Sequence, residues 1–214
     1  MSRFLIARPD FDPGTAYMYR WSECLIKEAE NKGMKITDVR GTEVKKSILI
    51  SKLKGIKPEI VCLNGHGDEN TYSGHDFETI LEPQSSDALT GSIVYVRACR
   101  SLNGLGAAAV KNGCKAFVGY SDDFVIPISN EYSATPLKDP VAKPVMEVSN
   151  LIVKQLIDGK TPKIAVESST KATIEQLRKI LYSPEYAEDI RFGQTVFALV
   201  TNSSSLGIQE QLTS

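Results

Sequence analysis

Hydrophobic residues along the chain gather into short continuous runs separated by longer amphipathic stretches. Phe4 to Arg8, Lys35 to Val39, Ile60 to Leu63, Ile93 to Arg97, Lys115 to Tyr120 and Thr195 to Val200 read as strands. Several of these runs are rich in β-branched and aromatic residues and lack polar alternation, the mark of strands covered on both faces. The stretches between them carry helical periods. Thr15 to Asn31 places Met18, Trp21, Leu25 and Ala29 near one face, with Glu23/Lys27 and Glu28/Lys32 as i,i+4 pairs. A second helix is expected from Thr42 to Lys54, and a short one from Leu105 to Lys111. Val141 to Asp158 carries an inward stripe of Val141, Val145, Val148, Ile152 and Leu156. Thr161-Pro162 supplies an N-cap and a first-turn proline for a helix reaching Leu181. This alternation predicts an α/β fold: a three-layer sandwich whose six-stranded, mainly parallel sheet has helices on both faces.

Two stretches fall outside the pattern. Gly67 to Gly91 is polar and turn-rich, with one short helix expected near Phe77 to Leu81. Ser121 to Pro140 is irregular and carries Pro127, Pro136 and Pro140. Connections of this length without regular structure are uncommon and often functional. No linker or repeat divides the chain, so residues 1–201 are expected to form one domain and 202–214 a loose polar tail.

Charge and composition narrow the partners. The 25 basic and 26 acidic residues give a formal net charge of −1, which favours neither nucleic acid nor an anionic membrane. No apolar run approaches the ~20 residues that span a bilayer, and the apolar run at Phe4 is too short for a signal peptide. A cytoplasmic protein with reduced thiols is expected. The four cysteines form no CxxC pair, and with only His66 and His75 no zinc-site spacing arises, so no metal or cofactor is expected. Cys24, Cys62 and Cys114 read as small buried hydrophobes.

Two strand ends stand apart. Ile60-Val61-Cys62-Leu63-Asn64-Gly65-His66-Gly67 ends in a histidine between glycines, and Ile93-Val94-Tyr95-Val96-Arg97-Ala98-Cys99 ends in a thiol. Parallel sheets present ligand-binding residues at the C-terminal edges of their strands. A cysteine attacks a carbonyl as its thiolate, and an imidazole titrating near neutral pH is a suitable base. If the two ends are neighbours, Cys99 is the nucleophile and His66 its partner. The backbone N–H groups of Gly67 and Cys99 then form an oxyanion hole. His75 is the alternative base but follows no apolar strand, which leaves it a place at the pocket rim. Asp68 and Glu69 read as solvated loop charges.

An apolar block ending in His-Gly, followed by one ending in Ala-Cys, resembles the caspase-like cysteine peptidases. The residues carrying the resemblance are Asn64 to Gly67 and Ala98-Cys99, with weaker support from Gly113 to Gly119 and Leu156 to Lys160. The resemblance implies a six-stranded α/β sandwich whose last strand is antiparallel. It also implies a cysteine endopeptidase with a His66/Cys99 dyad, Gly67 as an oxyanion donor, and a peptide or protein substrate. Caspases carry Gln-Ala-Cys-Arg-Gly with the histidine ~50 residues upstream. Here Arg97-Ala98-Cys99-Arg100-Ser101 and a closer histidine are nearer to the clostripain, gingipain and CHAT branch. In such enzymes the residue two before the nucleophile often lines the pocket for the side chain preceding the scissile bond. At that position Arg97 would select an acidic residue. The alternative makes Arg97 a structural partner of Asp122 or Asp123, or lets those acids select a basic residue. A non-catalytic interaction or effector-sensing module of the same fold is the second functional reading. A flavodoxin-like binding domain is disfavoured, since Pro9 to Gly14 is no phosphate-cradling loop.

Overall fold

The computed structural model describes residues 2–187 and 189–211. The chain runs through β1 (Arg3–Arg8), α1 (Pro13–Trp21), α2 (Glu23–Asn31), β2 (Lys35–Arg40), α3 (Lys46–Ile56) and β3 (Ile60–Asn64). Three short strands follow, β4 (His66–Gly67), β5 (Tyr72–Ser73) and β6 (Thr79–Leu81). Next come β7 (Ile93–Arg97), α4 (Ala107–Lys111), β8 (Ala116–Tyr120), α5 (Lys143–Ile157), α6 (Pro162–Tyr182), α7 (Pro184–Ala187), α8 (Phe192–Ser205) and β9 (Leu206–Glu210). The main sheet has the order β2-β1-β3-β7-β8-β9, parallel throughout except for β9, which runs antiparallel to β8. This is the expected α/β sandwich.

Side chains alternate across the sheet, as strand geometry requires. Leu5, Ala7, Val61, Leu63, Val94, Val96 and Phe117 pack under α3 and α4. Phe4, Ile6, Cys62, Tyr95, Val118 and Tyr120 pack under α2, α5 and α6. On that second face Tyr95 Oη shares hydrogen bonds with Tyr120 Oη and Ser149 Oγ, each at 2.7 Å, so the buried hydroxyls are satisfied.

Four expectations are corrected. Thr15 to Asn31 is not one helix but two, which meet at Ser22, whose Oγ bonds the Met18 carbonyl at 2.6 Å. Phe77 to Leu81 is not helical; Thr79–Leu81 joins β4 and β5 in a small antiparallel sheet. Thr195 to Val200 is not the last strand. Its β-branched residues lie inside α8, where Phe192, Thr195, Ala198, Leu199, Asn202 and Ser205 are buried at helical spacing. The last strand comes from the residues expected to be loose: Leu206–Glu210 is the half-exposed edge strand β9. Residues 212–214 of that expected tail lie outside the described residues.

The end of the chain also braces the region beside the site. Asn202 on α8 pairs with both backbone groups of Val125 at 2.8 Å, as a neighbouring strand would, and Ser121 N–H donates to the Ser205 carbonyl. Farther along the second irregular stretch, buried Asp139 accepts from Tyr17 Oη, Ser129 N–H and Val141 N–H.

Candidate active site

Strands β3 and β7 are adjacent and in register, with Asn64 opposite Arg97. Gly65 N–H continues the ladder by donating to the Arg97 carbonyl at 3.3 Å. Beyond it the two strand ends stay together. A Cβ on Gly67 would lie 3.1 Å from Ala98 Cβ, 3.3 Å from the Cys99 carbonyl and 2.7 Å from the Thr71 carbonyl, which explains the glycine. Leu105 N–H donates to the Glu69 carbonyl at 2.7 Å, fastening the loop after His66 to the turn that follows Cys99. His66-Gly67 therefore lies beside Ala98-Cys99.

The imidazole has a partner that the sequence reading missed. His66 Nε2 lies 2.7 Å from Asp12 Oδ2. Asp12 is also the N-cap of α1, its Oδ1 accepting from Thr15 N–H at 2.9 Å, with Pro13 in the first turn. One carboxylate thus ends a helix and orients the histidine. Burial alone would raise the Asp12 pKa, but the Thr15 amide and His66 outweigh it and hold the carboxyl below its usual range. The Asp-Pro-x-Thr cap was visible in Asp12-Pro13-Gly14-Thr15; nothing local says that its free oxygen reaches a residue after the third strand.

Cys99 is half-buried at the start of the turn into α4. Burial pushes its thiol pKa up. The Phe124 N–H and Arg100 pull against this, while the Asp123 carboxylate adds to the rise. Burial and this carboxylate together favour the neutral thiol. Arg100 holds Asp123 through two hydrogen bonds of 2.7 and 3.1 Å. Its own backbone sits at φ 53°, in the left-handed region, with its N–H on the Asp122 carbonyl. Asp123→Asn removes the negative charge beside the sulfur. Alkylation of Cys99 by iodoacetamide, followed on its peptide by mass spectrometry, is then expected to titrate at lower pH. At pH 7 it should run up to about fivefold faster, the modest size fitting an exposed carboxylate. An unchanged pH profile would mean that Asp123 does not control the thiol.

The other expected site residues fare differently. Asp122 is exposed and its Oδ1 caps the Asp123 N–H at 2.8 Å. His75 packs edge-on against Phe11, with centroids 5.2 Å apart, and its buried Nδ1 has no partner. Asp68 accepts from Asn70 and Thr71 N–H groups, so it shapes its turn.

Arg97 is the main correction. It is fully buried, so it is not at the surface where a substrate side chain would meet it. Two residues after Tyr95, its side chain goes to the same face, under α2 and α5, where Nη2 donates to Asn150 Oδ1 at 2.6 Å. It pairs with neither Asp122 nor Asp123; Arg100 takes the second of these.

No protein-family model and no curated protein matches the chain. Solved structures do. The complex of the pro- and mature domains of RgpB from Porphyromonas gingivalis matches over 94% of this chain and 46% of its own, at 12% identity and a TM-score of 0.55. The Arg-specific cysteine proteinase gingipain R (RgpB) matches over 94% of this chain and 45% of its own, at 14% identity and a TM-score of 0.56. The chain spans less than half the length of either. Its α/β sandwich, with the strand order and antiparallel last strand described above, has the caspase-like fold of gingipain R.

Proposed function

We propose that this chain is a cysteine endopeptidase in which Cys99 attacks a peptide carbonyl and His66 carries the protons. The observation that supports it most is the apposition of His66-Gly67 with Ala98-Cys99, with His66 tethered by Asp12. His66 takes the thiol proton as Sγ bonds to the carbonyl carbon. The imidazolium, stabilised by Asp12, then protonates the leaving amine as the C–N bond breaks. Water, deprotonated by His66, hydrolyses the thioester and restores the thiol.

Two backbone donors suit the oxyanion. Asp68 N–H bonds the Thr71 carbonyl, which makes that pair and His66–Ser73 the bonded pairs of the β4–β5 ladder. Gly67–Tyr72 is then a non-bonded pair, and the Gly67 N–H points away from β5. The Cys99 N–H donates to no backbone carbonyl among the described residues. Burial of Arg97 removes the basis for acidic selectivity. Exposed Asp122 instead favours a basic residue before the scissile bond, in keeping with the Arg specificity named for one structural neighbour.

A peptidyl acyloxymethyl ketone ending in Lys or Arg tests the reading. One adduct is expected, on Cys99, absent in Cys99→Ala. His66→Ala should slow labelling by about 10²–10³-fold. Asp12→Asn keeps the helix cap but not the anion, and should slow it by about tenfold or more. Labelling at equal rates in all variants, or at Cys24 instead, would overturn it.

A further inference from the structure

The His66 ring is walled by aromatics. Phe77 lies against it with centroids 4.7 Å apart and planes inclined at 38°. Phe11 meets both rings edge-on, 5.9 Å from His66 and 5.0 Å from Phe77. Phe77 is nonetheless 60% exposed, so the wall has an open apolar surface.

The backbone that presents Phe77 is strained. Asp76 and Phe77 have φ of 53° and 58°, two successive side chains in a region that disfavours a Cβ. Such a conformation persists only where its surroundings impose it. Here His75 N–H is held by the Val44 carbonyl and Gly74 N–H by the Glu78 carbonyl, both at 2.9 Å. A Cβ on Gly74 would collide with the Val44 carbonyl, so only glycine lets the backbone pass there.

On the cysteine-peptidase reading, His66 must come within hydrogen-bond reach of the leaving nitrogen. The residue bearing that nitrogen then has its Cα one bond farther on, beside the imidazole. The aromatic side chains against the imidazole are Phe77 and Phe11. Asp12 is occupied by His66 and its helix cap, and His75 is covered by Phe11.

We propose that Phe77, backed by Phe11, forms the subsite for the residue immediately after the scissile bond and selects a large apolar or aromatic side chain there. This rests on the peptidase reading and goes beyond it. The test compares wild type with Phe77→Gly on a mixed library of synthetic peptides, with cleavage sites read by mass spectrometry. Glycine suits the left-handed backbone, so it removes the ring without adding strain.

Wild type is expected to favour Leu, Met or Phe over Gly after the cut by about tenfold. The ratio should fall towards unity in Phe77→Gly and persist for aliphatic residues in Phe77→Leu. Because it is taken within each enzyme, a general loss of rate cancels. Cys99-dependent cleavage with no such preference, or with one that Phe77→Gly leaves intact, overturns the subsite and leaves the peptidase reading standing. Absence of any Cys99-dependent cleavage overturns both.

Discussion

Cys99→Ala is expected, on the proposed mechanism, to lower peptide cleavage by roughly 10⁴-fold or more, because removing a nucleophile abolishes the covalent route rather than weakening it. On that mechanism what survives is positioning of the carbonyl by the Gly67 and Cys99 N–H groups, which accelerates direct water attack far less. Alanine removes one sulfur from a half-buried position outside the strands, so the fold should hold. The measurement is single-turnover cleavage of the best peptide from library profiling, beside a circular dichroism spectrum of each protein. Retention of activity within tenfold, across several unrelated peptides, would remove Cys99 from the chemistry. The activity would then belong to another group. Cys99→Ser should not rescue, since a hydroxyl is harder to ionise than a thiol already held neutral by burial and Asp123.

Arg97→Ala is expected to reduce stability by about 3 kcal/mol, since it empties a packed site and leaves Asn150 Oδ1 without its donor. For a chain of this size that is a fall in Tm on the order of 10 °C. The loss is smaller than that of a buried ion pair broken on one side. Among the described residues no carboxylate lies within ion-pair distance of Arg97, and its Nε has no partner. Removing the charge therefore returns part of what removing the volume costs. Arg97→Met separates the two effects: it keeps most of the stem and should cost no more than about 1.5 kcal/mol. Thermal unfolding of the three proteins checks the order. Folded Arg97→Met should cleave with the wild-type preference for the residue before the scissile bond. A changed preference would return Arg97 to the pocket.

These two residues, two positions apart, bracket what could be read locally. Cys99 stood out because an apolar run ends there at a small residue and a thiol. Arg97 looked like the polar end of the same run, and a charge at a strand end suggests solvent. Yet β7 is an interior strand with helices over both faces, so alternation sends every side chain within it into a covered layer. The alternation was legible in the sequence; the depth of cover at its last residue was not. Helix α8 and β9 make the same point. Thr195 to Val200 has the composition of a strand, but burial at helical spacing overrode propensity. The actual strand was too polar to announce itself, because an edge strand is only half covered.

The sequence by itself determined the α/β class and the two strand ends. Each of these is written in neighbouring residues, through runs and periods. The tertiary structure alone decided that Asp12 reaches His66, that Arg100 takes Asp123, that Arg97 faces Asn150, and that Phe77 covers the imidazole. These contacts depend on sheet order, strand register and loop packing. Elements distant along the chain set those together, and no local pattern encodes them.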